Sequence, residues 1–256
     1  RSGAGIRRPR RAALLKPRRL PHARGVLEAA RAEAEAAVGA TVGARYRLER
    51  VLGVGGMGAV FAAEHLVTGR PVALKRILPQ LARDAGLRER FLLEARAGAR
   101  LGHPGIADVL DAGFDAEGAP FLVFELLEGQ DLAQAILHGE VPPLRLLERL
   151  EELLEALAAA HGAGFVHRDV KPANIFLAVG PAGRERVKLL DFGVVRALAR
   201  GGPGLTRAGA AVGTPWFMSP EQMAGDAVDP RADLWSVAVV LFYGLTGKLP
   251  FKAENA

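Results

Sequence analysis

Three glycines spaced as G-x-G-x-x-G (Gly53, Gly55 and Gly58 in GVGGMGAV, 53–60) stand between two β-prone runs, YRLERVLG (46–53) and AVFAAEH (59–65). This placement constrains the fold more than any other feature of the chain. A dinucleotide-binding loop joins a strand to a helix, with an acidic residue about 20 positions on. Here the loop joins strand to strand, and at about that distance stands Lys75, in VALK (72–75). The G-K-[ST] ending of a P-loop is absent as well. With RPVALKRIL (70–78) the runs predict an antiparallel meander. The glycine spacing by itself leaves open whether the loop cradles a phosphate or only turns the chain.

Downstream the texture becomes helical. DAGLRERFLLEARAGARL (84–101) places Leu87, Phe91 and Ala95 at i, i+4 and i+8, the spacing of one helix face. PFLVFELLEG (120–129) is a continuous apolar strand ending in an acidic-glycine turn. In 144–164, Leu147, Leu150, Leu154 and Leu157 form the apolar stripe of an amphipathic helix. NIFLAV and RVKLLDF, divided by GPAGRE, predict a hairpin. A glycine-rich loop without regular period fills 191–221. DLWSVAVVLFYGLTG (233–247) is apolar almost all round, as a buried helix is.

A chain of 256 residues, half of them hydrophobic, can bury one large core or two lobes. The absence of cysteine excludes disulfides, thiolate metal sites and cysteine nucleophiles, and fits a cytoplasmic location. The net charge of +6 is unevenly placed. Residues 1–24 hold eight Arg, one Lys and no acid, +9 in all, so residues 25–256 carry 6 − 9 = −3. This leader lacks the interleaved aromatics of a nucleic-acid arm and reads as a solvated, disordered segment, followed at 25–40 by a short helix or linker. No apolar run reaches the ~18 residues of a membrane helix, and no secretory signal is visible.

Four further stretches settle what the glycine loop is. VALK (72–75), HRDVKPAN (167–174), DFG (191–193) and GTPWFMSPE (213–221) follow it in order and at the separations seen in eukaryotic-type protein kinases, which this sequence strongly resembles. The resemblance covers residues 43–256, and GGMGAV and SPEQ are similar to the bacterial serine/threonine members. It implies an α+β, bilobal fold: an antiparallel-sheet N-lobe with one helix (43–126) and a mainly helical C-lobe (127–256), after a 1–42 leader. It implies ATP and Mg²⁺ as cofactors, a protein substrate, and self-association for autophosphorylation.

The resemblance also implies roles for particular residues. Leu52, Gly53, Val54, Gly55, Gly56, Gly58, Val60 and Ala73 would enclose the nucleotide, with Lys75 on its phosphates and Glu94 steadying Lys75. Glu89 lies on the same predicted helix as Glu94, and the family spacing favours the latter. Asp169 would orient the substrate hydroxyl and accept its proton, and Lys171 would steady the moving phosphoryl group. Asn174 and Asp191 offer hard oxygens for Mg²⁺. The backbone of Glu125–Leu127, after the gatekeeper Phe124, would pair with adenine. Asp131 fits either a ribose hydroxyl or a helix N-cap. His167 reads as structural, packed on Phe192. Arg168 suggests control through the 191–221 loop, where Thr206 is the candidate phosphorylation site because Thr214 and Ser219 belong to substrate docking.

Some features depart from the pattern: SPE stands for APE, Ala238 replaces a glycine, and Gly98 replaces a larger residue. The chain begins at Arg1 and stops at Ala256 just after LPF, so further C-lobe helices, and an arginine to pair with Glu221, are expected beyond it. A catalytically silent kinase-like module that binds nucleotide or serves as a scaffold is the alternative. Intact Lys75, Asp169, Asn174 and Asp191 argue against it.

Overall fold

The computed structural model describes residues 21–55, 58–77, 95, 99, 101–180, 183–191 and 215–251. The expected meander is there: β2 (Tyr46–Gly55), β3 (Gly58–His65) and β4 (Pro71–Ile77) pair antiparallel, with Gly55 opposite Gly58 across the loop. β1 (Thr41–Val42), β5 (Val109–Phe114) and β6 (Pro120–Glu125) complete a six-stranded sheet in the order β1-β2-β3-β4-β6-β5. Register shifts in β2 between Leu48 and Arg50, and again between Val51 and Gly53, bend the strand as it approaches the glycine loop. One face of the sheet is a core of Leu48, Phe61, Val72, Leu74, Phe121 and Val123.

Two boundaries differ from expectation. β6 ends at Glu125, and 126–128 leave the sheet before β7 (Gly129–Asp131) begins. The leader boundary at residue 42 also cuts through ordered structure. Helix α1 (Pro21–Ala36) sends Ala34 into the sheet's core, and Leu48 exchanges hydrogen bonds with Gly39 N–H and the Ala40 carbonyl. Alanine-rich sequence gave the helix, but only the sheet supplies a face to bury it against.

The second core gathers α2 (Leu132–Leu137), α3 (Pro143–Gly162), the hairpin β8 (Ile175–Val179) and β9 (Glu185–Leu189), and α5 (Arg231–Thr246), with short α4 (Pro220–Ala224) beside them. The predicted hairpin pairs Ile175 with Leu189, and β7 joins it as a third strand. In α3 the predicted stripe is shifted. Leu146, Leu150, Leu153, Ala156, Leu157 and Ala160 are buried, whereas Leu147 and Leu154 are 50% and 41% exposed. Leucines at 144, 146, 147, 150, 153, 154 and 157 satisfy two overlapping phases. Ala156 and Ala160 decide between them, because their small side chains let Ile106 and Phe165 pack closely. α5 is not enclosed all round: Val237 and Val240 face the core, while Leu234, Phe242 and Leu245 are exposed. Gly244 permits close packing, since a Cβ there would lie 2.5 Å from Leu146 Cδ2. Among the described residues no helix is long and apolar enough to cross a membrane.

Candidate active site

Lys75 is held at the middle of β4, where its neighbours Leu74 and Val72 anchor the strand in the core. Its buried Nζ lies 2.7 Å from Asp191 Oδ1. Asp191 stands two residues beyond the end of β9 and takes a positive φ of 55°, a strained conformation for a residue with a side chain. Burial pushes its pKa up, but the neighbouring groups, the Lys75 ammonium first among them with His167 and Lys171 behind it, together hold the carboxyl below its ordinary value. Asp191 therefore stays an anionic, hard-oxygen donor.

The second group of charges comes from the loop before β8. Lys171 Nζ donates to Asp169 Oδ2 at 2.8 Å, and Asn174 Nδ2 donates to the same oxygen at 3.1 Å and to the Asp169 carbonyl at 2.8 Å. Two donors thus fix the direction of one carboxylate. Leu190 N–H donates to the Asn174 carbonyl at 2.8 Å, which locks this loop to the residue preceding Asp191.

His167 completes the link and is fully buried. The Leu190 carbonyl 2.8 Å from its Nε2 can only accept, so Nε2 carries the proton, and Nδ1 accepts from Asp169 N–H at 3.2 Å. Burial, the largest influence, lowers its pKa. The unfolded state takes up a proton near the ordinary value of 6.5 while the folded state resists it, so stability falls as pH drops below 6.5. In urea titrations between pH 7.5 and 5, the wild type is expected to lose stability that the non-titrating His167→Gln variant keeps. Parallel profiles would contradict this.

Beneath the loop lies a group the sequence reading missed. Asp233, fully buried on the first turn of α5, accepts from His167 N–H and Arg168 N–H at 2.8 Å each, and its Oδ2 lies 2.8 Å from His161 Nε2. Arg168 has φ 65°, and its carbonyl accepts from Gln222 Nε2 at 2.8 Å. Hydrogen bonds on both sides therefore maintain the strained residue next to Asp169. Gln222 also receives Ser219 N–H, closing a capping box. Two signals were present in the sequence: a lone acid opening an apolar helix, and the S-x-x-Q spacing in SPEQ.

The expected nucleotide-facing residues fall as follows. Val60 and Ala73 are half-buried on adjacent strands, Val60 opposite Lys75 and Ala73 opposite Phe124. Leu52 is exposed, whereas Val54 packs against the sheet's core. Among the described residues, a Cβ on Gly53 or Gly55 would meet nothing within 4 Å. Gly58 is required for a different reason. At φ 146° its Cβ would lie 2.1 Å from the Arg76 carbonyl, so the β3–β4 pairing itself demands glycine. Asp131 caps α2, accepting from Gln134 N–H at 2.9 Å. Glu125 and Leu127 are half-buried where β6 ends. Gly56, Glu94, Phe192, Thr206 and Thr214 lie outside the described residues.

The chemistry of the residues present fits a magnesium nucleotide: glycines without crowding among the described residues, a buried cation paired with the carboxylate of Asp191, and the amide of Asn174 in the segment bonded to Leu190 beside it. The protein kinase domain family matches residues 46–256. The serine/threonine-protein kinase pkn3 of Myxococcus xanthus is 44% identical over 223 residues, covering 86% of this chain and 41% of that protein. PknB of Mycobacterium tuberculosis is 41% identical over 216 residues, 82% of this chain and 34% of its own length. The chain thus spans less than half the length of these curated relatives. The crystal structure of the Mycobacterium tuberculosis PknI kinase domain superposes with a TM-score of 0.68 at 31% identity, covering 84% of this chain and 79% of that one. The α+β bilobal architecture, the ordered motifs and these likenesses agree: the chain belongs to the protein kinase family, among its bacterial serine/threonine members.

Proposed function

We propose that this protein transfers the γ-phosphoryl group of ATP to serine or threonine hydroxyls of proteins, itself included, as part of a signalling pathway. The observation that carries the reading is the meeting of two charge pairs, Lys75–Asp191 and Asp169–Lys171, through the Asn174–Leu190 hydrogen bond. Asp169 accepts the proton of the attacking hydroxyl as its oxygen bonds to phosphorus and the bond to the departing ADP oxygen breaks. Lys171 moves no proton; it neutralises charge on the phosphoryl oxygens. Lys75 orients the α- and β-phosphates, steadied by Glu94, and the backbone of Glu125–Leu127 pairs with adenine. Asn174 and Asp191 hold Mg²⁺, which supplies further charge neutralisation when bound.

Intact-mass analysis after incubation with ATP tests this. Gains in steps of ~80 Da (one phosphoryl group each) are expected with Mg²⁺ and are lost with EDTA, with Thr206 among the mapped sites. No gain, and no labelling of a general acceptor protein, would overturn the reading.

A further inference from the structure

The strand leading to Asp191 is tied to the adenine-pairing segment through a three-way junction. Residues 105–108 lie along β9: Leu189 N–H donates to the Gly105 carbonyl at 2.8 Å, and Ala107 N–H to the Leu189 carbonyl at 3.0 Å. The same segment grips the end of β6. Glu125 N–H donates to the Asp108 carbonyl at 3.2 Å, and Asp108 N–H donates to Glu125 Oε1 at 3.1 Å. Lys188 on β9 closes the junction, its Nζ donating to that same Oε1 at 2.5 Å and to the Ile106 carbonyl at 3.3 Å. The Lys188 and Glu125 side chains are only 15% and 23% exposed, so solvent screens this pair less than a surface bridge.

We propose that Lys188 is a positioning residue that sets the distance between the adenine-pairing backbone at Glu125–Leu127 and the metal-holding Asp191. The inference rests on the kinase reading above. The two ends of a nucleotide bind together only when their anchoring points are held at a fixed span, and a preformed span lowers the cost of binding. β9 ends two residues before Asp191, and β6 ends at Glu125, so the Lys188–Glu125 contact joins the strand that leads to one anchoring point directly to the other. The Lys188 ammonium bonds to Glu125 and to the Ile106 carbonyl, at the adenine-pairing end, so its removal acts on nucleotide binding more than on chemistry.

The test uses the full-length protein and its Lys188→Met and Lys188→Arg variants. Lys188→Met is expected to raise KM for ATP about five- to tenfold with kcat within about twofold, and Lys188→Arg, which keeps the charge, to restore most of the loss. Amide hydrogen exchange at 126–128 without nucleotide is expected to speed up in Lys188→Met alone. Unchanged exchange overturns the strut, as does faster exchange with unchanged KM. A rise in kcat means the junction restrains the enzyme, and overturns it too. If the wild type neither binds nor consumes ATP, the kinase reading fails, while hinge exchange still decides whether Lys188 braces this segment.

Discussion

Asp169→Asn lowers the rate of phosphoryl transfer by about 10²- to 10⁴-fold while leaving KM for ATP close to that of the wild type. The substitution is nearly isosteric, and the loop should keep its shape, because the Asp169 backbone is bonded through its N–H to His167 and through its carbonyl to Asn174. What is lost is specific. A carboxamide cannot accept the hydroxyl proton, and it gives Lys171 no charge to pair with where Oδ2 now stands 2.8 Å from Nζ. Lys75, Asn174 and Asp191, the residues assigned to ATP and Mg²⁺, are left in place. Steady-state kinetics at saturating ATP checks the outcome. A loss that appears in KM with kcat preserved would place Asp169 in nucleotide binding and remove it as the base.

Asp233→Asn destabilises the fold by about 3 kcal/mol or more, a large share of the 5–15 kcal/mol typical of a domain. The carboxylate serves two fixed backbone N–H groups, of His167 and Arg168, with His161 Nε2 against one oxygen. An amide offers a single acceptor oxygen, and its NH₂ must turn toward one of those donors. That donor is then buried without an acceptor. The strained φ of Arg168 loses support at the same time, so activity falls even in the fraction that stays folded. Urea unfolding measures the first effect, and specific activity per folded molecule the second. A variant as stable as the wild type would mean that water or another group satisfies these amides, and Asp233 would lose its place as the loop's anchor.

The sequence was most informative where chemistry is written in contiguous segments. HRDVKPAN carries Asp169, Lys171 and Asn174 within one short loop, and the structure brings their side chains onto a single carboxylate oxygen. The meander was legible because β2, β3 and β4 are adjacent in sequence and joined by short glycine-bearing turns. The phase of α3 was not. Its excess of leucines fits two stripes, and the choice depends on which one Ile106 and Phe165 can approach, which no local pattern records.

The ordered motifs, through the resemblance they carry, thus determined the family, and adjacency along the chain determined the order of the strands around the glycine loop. Only the tertiary structure decided what holds the charged groups in place. Asp233 reaches His167 across 66 residues, Gln222 reaches Arg168 across 54, and Lys188 reaches Glu125 across 63. Each of these bonds satisfies a buried polar group or a desolvated charge, and which groups end up buried together is fixed by packing, not by neighbours in the chain.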